Sequence, residues 1–131
     1  MLWISDYVDV PYVKKGRTIV GLDCWGLVRL VLMEQFGVFL PSFDDTHDAT
    51  PSDVATTVLI EKDTEHFLPV ETPSPGDIVL MKFFNVPCHV GVFVLPFSVL
   101  HTDPMCVGTS RVERLSSPRL SPRIEGYYRV Q

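Results

Sequence analysis

Positive charge is in short supply. Eleven Lys and Arg stand against 16 Asp and Glu, a net charge of -5 over 131 residues. Phosphate backbones are bound by clustered cations. Lys14, Lys15, Arg17 and Arg29 build no stripe, so nucleic acid is not an expected partner. Long apolar runs are missing too. The longest are broken by Arg29 and His89 and fall short of the ~20 residues that cross a bilayer, so no membrane partner is expected either. Cysteine is scarce: Cys24, Cys88 and Cys106 cannot all pair within one chain, and reduced thiols are expected. No Cys-x-x-Cys or His-x-x-x-His spacing occurs. The only grouping with metal-binding donors is Cys88, His89, His101 and Cys106. Neighbours in a strand face opposite sides, which separates Cys88 from His89. Neither a metal nor a cofactor is expected. Met1 to Pro11 carries Asp6 and Asp9 and lacks a basic segment ahead of an apolar core. It does not read as a signal peptide, and the product is expected to be made in a cytoplasm.

What is present centres on Gly21-Leu22-Asp23-Cys24-Trp25-Gly26-Leu27-Val28-Arg29. Asp23 suits an N-cap, with a short acceptor facing the first free backbone N–H groups. Cys24 to Phe36 is predicted helical, apolar almost all round, and therefore packed on several sides. Gly37 stops it and Pro41 prevents continuation. A thiol at such a helix start is favoured as thiolate by the free N–H groups and the macrodipole, which makes Cys24 a candidate nucleophile.

The arm before Val20 reads as extended or looped. Pro41 to Pro51 is acidic and turn-rich, and Pro51-Ser52-Asp53 opens a second predicted helix through about Lys62. Phe67 to Pro75 reads as a proline-broken connection. Strands are predicted at Asp77 to Phe83, His89 to Leu95, Phe97 to Thr102, Gly108 to Leu115 and Ile124 to Val130. They are separated by Asn85-Val86-Pro87, Pro96, Asp103-Pro104 and Ser116-Ser117-Pro118. A helix followed by a run of strands on short turns predicts one α+β domain over residues 1–131. Its helix packs on an antiparallel sheet of about five strands.

A nucleophilic thiol needs a base, and the base an orienter. His47 lies in the acidic loop and His66 beside Glu65, positions that suit solvated surface residues. His89 begins a strand and His101 ends the next. In a hairpin both imidazoles reach one rim of the sheet, and one His89 nitrogen can face the sulfur while the other meets His101. On spacing alone, each histidine equally well satisfies a core or edge hydrogen bond.

The segments Gly21-Leu22-Asp23-Cys24-Trp25-Gly26-Leu27-Val28, Pro75-Gly76-Asp77-Ile78-Val79-Leu80 and His89-Val90-Gly91-Val92, in that order, resemble the NlpC-type cell-wall cysteine peptidases, which are papain-like hydrolases. With Trp25 after the cysteine, Leu100-His101, and the ending Pro122-Arg123-Ile124-Glu125-Gly126-Tyr127-Tyr128-Arg129, the chain is similar to the phage tail-assembly branch. The resemblance covers Tyr12 to Arg129. It implies a papain-like fold and a Cys-His-His site with Cys24 as nucleophile, His89 as base and His101 as orienter. Tyr12 and the Cys24 backbone N–H then serve the oxyanion, with Asp23 and Trp25 beside the substrate. Asp103 is placed to share the orienting role, and Trp25 suits the core as well as a cleft wall. The implied substrate is a peptidoglycan stem peptide, commonly cut between γ-D-glutamate and a diamino acid. The implied partners are tail-tip proteins, and the implied destination is the virion tail after synthesis in the host cytoplasm. A catalytically weak plug or assembly protein of the tail tip is the alternative, and the same thiol chemistry also serves amidase or acyl-transfer reactions. The hydrolase reading requires sulfur 24 and imidazole 89 to meet across a groove open to water.

Overall fold

The helix forms where its local signals place it. In the computed structural model, which describes residues 2–42, 60–83, 86–102 and 108–131, α1 runs over Cys24–Phe36. Asp23 is its N-cap, and Gly37 closes it in the left-handed conformation at φ 67°. Leu27, Val28, Val31 and Leu32 are buried within the main core, as a helix apolar on all sides requires.

Ahead of α1 the arm is more ordered than expected. A 3-10 helix spans Leu2–Tyr7, and β1 (Arg17–Thr18) pairs antiparallel with β2 (Gly21–Leu22). After α1 come β3 (Phe67–Val70), β4 (Ile78–Phe83), β5 (Val86–Val94), β6 (Ser98–Thr102), β7 (Ser110–Arg114) and β8 (Ile124–Val130). These six strands make one sheet in the order β3-β8-β4-β5-β6-β7, every neighbour antiparallel. The α+β papain-like arrangement of helix on antiparallel sheet is therefore present, with one strand more than predicted.

The additional strand is β3, read from the sequence as a broken connection because of Pro69. Proline lacks a ladder donor, but an edge strand leaves one side unpaired and tolerates it, and β3 lies at the sheet edge beside β8. β5 starts at Val86, inside the segment read as a turn. It reaches back because an irregularity at Met81/Lys82 lets Pro87 pair with Lys82 while His89 pairs with Met81. Of the second predicted helix, residues 60–62 are helical and residues 51–59 lie outside the described residues, as does the acidic loop with Asp44, Asp45, His47 and Asp48.

The sheet is buried on both faces. Ile78, Leu80, Val90, Val92, Val94 and Leu100 join the core under α1. Val79, Met81, Phe93 and Val99 form a second cluster with Leu115 and Leu120. Among the described residues, no helix is long and apolar enough to cross a membrane.

Candidate functional site

The approach to Cys24 is built by Asp23. Its Oδ1 accepts from the Gly26 N–H at 2.7 Å, and its backbone carbonyl accepts from the Leu27 N–H. The other carboxylate oxygen accepts from the Lys15 N–H at 3.0 Å, and Arg17 Nη1 lies 2.7 Å from Oδ1. Arg17 reaches on to the Ser42 and Gly16 carbonyls. One buried carboxylate thus fixes the helix start, the preceding turn and the chain after the helix. Asp23, expected beside the substrate, is fully occupied in shaping the backbone around Cys24.

Cys24 is the first residue of α1, where backbone N–H groups lack intrahelical carbonyls. Trp25, expected in the core or on a cleft wall, is in the core, and its indole N–H donates to the Pro41 carbonyl at 2.9 Å. Tyr12 is half-buried and pairs with Leu22, two residues before the cysteine.

The N-terminal arm ties this corner to the sheet. The Leu22 N–H donates to the Pro11 carbonyl, and the Tyr12 N–H to the Gly108 carbonyl at 2.8 Å. Asp9 and Val10 exchange backbone hydrogen bonds with Ser110, which pairs with Thr102 at the end of β6. The helix start and the histidine-bearing end of β6 are thereby stitched to the same short stretch of arm.

The hairpin of β5 and β6 brings the two histidines together. His89 Nε2 lies 2.8 Å from His101 Nδ1, with ring centroids 5.1 Å apart. Gly91 makes room. A Cβ there would stand 2.4 Å from Val99 Cγ2 and 2.9 Å from His101 Cβ. Phe83 meets the His89 ring edge-on at 5.4 Å, and the Arg123 guanidinium lies 4.6 Å over Phe83.

His101 is held in turn by a residue that sequence reasoning missed. Its Nε2 lies 3.1 Å from Glu113 Oε1 on β7. Arg119 grips the same carboxylate with a two-pronged fork, Nε to Oε2 and Nη2 to Oε1, both at 2.9 Å. Arg111 Nη2 adds a contact at 3.3 Å. The only sequence signal is the charged alternation Arg111-Val112-Glu113-Arg114. Which of these faces His101 is settled by register: His101 pairs with Arg111 and Val99 with Glu113, all on one side of the sheet.

Burial and charge set the protonation states. Burial, then the neighbouring His101 and the guanidiniums of Arg111 and Arg119, push His89 well below the usual histidine range. It rests as a neutral imidazole, the form that can take a proton. Burial alone raises the Glu113 carboxyl. Hydrogen bonds from Arg119 and His101, with the positive charge of Arg119, override this and hold it down to about 2.

Cys24, His89 and His101 expose 1, 4 and 0 % of their surface. All three are buried where a groove open to water was expected. His66 is a surface residue, 65 % exposed, paired with Asp63 at 2.8 Å. It rims a cavity of about 670 Å³ lined by Phe39, Leu40, Phe67 and Val130, which includes neither member of the histidine pair. Asp103 and Cys106 lie outside the described residues. Among the described residues, no cluster of three or more His, Cys, Asp or Glu is arranged to hold a metal ion.

The fold and the order of these motifs have known counterparts. The NlpC/P60 domain of the peptidoglycan hydrolase SagA superposes with a TM-score of 0.62 at 18% identity, over 99% of this chain and 93% of that one. An NLP/P60-family protein similar to a lipoprotein, from Staphylococcus aureus, gives 0.65 at 19% identity, over 97% of this chain and 38% of its own. NlpC2 from Trichomonas vaginalis gives 0.69 at 16% identity, over 98% and 45%. The chain thus spans less than half the length of the latter two proteins. At such identities the likeness establishes the fold. No curated protein sequence matches the chain. A sequence model of the NlpC/P60 family matches residues 9–124, from the arm that braces Cys24 to the first residue of β8, and the chain belongs to that family.

Proposed function

We propose that this protein is a cysteine endopeptidase of peptidoglycan stem peptides, acting between γ-D-glutamate and a diamino acid. The observation that carries the reading is the buried His89–His101 hydrogen bond at the sheet end to which the Cys24 helix start is tied. In the proposed reaction His89 takes the Cys24 proton. The thiolate then attacks the amide carbonyl carbon, forming a C–S bond and an oxyanion. The Cys24 backbone N–H and Tyr12 stabilise that oxyanion. The C–N bond breaks as His89 returns its proton to the leaving amine. Water, deprotonated by His89, then hydrolyses the thioester and restores the thiol. His101 holds the His89 ring throughout. Digestion of purified sacculi, with released fragments identified by mass spectrometry, tests the substrate. Fragments ending in free γ-D-glutamate are expected, and intact stems would reject it.

Association with a phage tail tip is the finer part of the reading. It rests on Asp23-Cys24-Trp25 and on the ending Gly126-Tyr127-Tyr128-Arg129. Indifference of the chain to every tail-tip component in pull-downs would remove it.

One observation favours the second reading, a plug or assembly protein with weak cleavage. Cys24 and His89 are almost inaccessible. A thiol-directed electrophile separates the two. Labelling of Cys24 faster than Cys88 and Cys106 supports catalysis, whereas an inert Cys24 supports the plug.

A further inference from the structure

We propose that Glu113 is a positioning residue of the site, acting through His101 to keep the Nδ1 lone pair of His89 available to the thiol. This rests on the proposed cysteine-peptidase reading, and it adds a fourth residue to the Cys24, His89 and His101 assembly.

The argument follows the protons. Glu113 is an ionised carboxylate, so it only accepts. The contact at 3.1 Å therefore requires hydrogen on His101 Nε2. A neutral His101, its one proton there, presents Nδ1 as a bare lone pair. The 2.8 Å contact to His89 then requires hydrogen on His89 Nε2. Neutral His89 is left with Nδ1 as its basic nitrogen. When His89 takes up a proton it carries hydrogen on both nitrogens, and the same His101 lone pair still accepts from Nε2. One tautomer of His101 thus serves both charge states of the base, and Glu113 selects it. Without an acceptor at Nε2, His101 is equally able to carry its hydrogen on Nδ1. It would then donate to His89 Nε2 and move the His89 hydrogen onto Nδ1, where it blocks proton uptake from the thiol.

The arginines define the limits of this role. One carboxylate faces two guanidiniums, Arg119 by its fork and Arg111 beside it. His101 meets His89 from β5 and Glu113 from β7, and Glu113 in turn meets Arg111 from β7 and Arg119 from the turn after it. A lone carboxylate would favour a charged His101, which has no lone pair to offer His89. The paired guanidiniums counter that charge, so what Glu113 supplies is the direction of the His101 hydrogen. The fork also leaves the carboxylate little freedom to rotate away from Nε2.

The test reads the rings directly. The full chain is labelled with ¹⁵N in the histidine rings, and two-bond ¹H–¹⁵N correlations are recorded near neutral pH for wild type, Glu113→Gln and Glu113→Leu. Wild type is expected to show His89 and His101 both protonated at Nε2 alone. Glu113→Gln keeps an acceptor oxygen and is expected to keep both tautomers, with cleavage within several-fold. Glu113→Leu is expected to mix the tautomers. It should also lower kcat for stem-peptide cleavage about 10–100-fold at unchanged KM, the scale for a partner acting through another group. The proposal is overturned by wild-type His101 protonated at Nδ1, by unchanged tautomers in folded Glu113→Leu, or by its undiminished kcat. Should Glu113→Leu not fold, the wild-type spectrum decides. A wild-type chain that cleaves no stem peptide sinks the enzymatic reading, while the spectra still decide Glu113.

Discussion

His89 Nε2 and His101 Nδ1 stand 2.8 Å apart in a buried hairpin, and the residue that lets them meet is Gly91, which a Cβ would drive against Val99 and His101. Gly91→Ala is therefore expected to cost about 1–3 kcal/mol, the range for overpacking a close-packed site. Displacement of His101 should lower stem-peptide cleavage more than stability. Chemical denaturation paired with the sacculus digest checks this. A variant that cleaves at the wild-type rate would show that the close approach of β5 and β6 does not hold the pair.

Cys24→Ala and His89→Ala are each expected to reduce turnover by at least ~10³-fold, the scale for members of a nucleophile-base unit. His101→Ala should cost less, because a ring that orients is partly replaceable by water. Cleavage that survives in either of the first two pure variants would reject the assigned roles.

The charge states predict how stability follows pH. His89 is pushed well below 6.5 in the folded chain. The unfolded chain binds that proton first as pH falls, so stability is full above about 6.5 and declines below it. Glu113 has the same sign in a lower window. Its contribution is complete above about 4.5 and is lost toward its folded value of about 2. Denaturation midpoints measured from pH 8 to pH 3 should show both declines. Glu113→Gln should flatten the lower one and leave the upper one in place, and a wild-type midpoint that rises on acidification would contradict the assignment.

Asp23→Ala removes the helix cap and leaves Arg17 without its carboxylate. Loss of a cap costs about 1 kcal/mol, and orphaning one partner of a buried pair costs about 3–5. Arg17 keeps the Ser42 and Gly16 carbonyls, so a total of about 2–4 kcal/mol is expected. Asp23→Asn retains the cap acceptor and should lose less. Equal losses in the two variants, read by urea denaturation, would show that the cap contributes nothing.

Much of the fold was legible because its causes are local. α1 begins at its Asp cap and ends at its left-handed glycine, on the residues predicted, and β8 likewise matches its predicted span. Both follow from interactions within a few residues. β3 was not legible, since Pro69 argues against a strand until its place at a sheet edge is known. The early start of β5 depends on an irregular pairing with β4 that no local pattern announces.

The sequence by itself determined that a cysteine would stand at a helix start with two histidines spaced for a hairpin, because caps, turns and alternation act over short stretches of chain. Only the tertiary structure decided that Trp25 belongs to the core, that Asp23 is spent on Arg17 and the backbone, and that Glu113 meets His101. Those outcomes depend on strand register and on contacts between segments far apart in the chain, and a register shift of one residue would have turned Glu113 to the other face of the sheet.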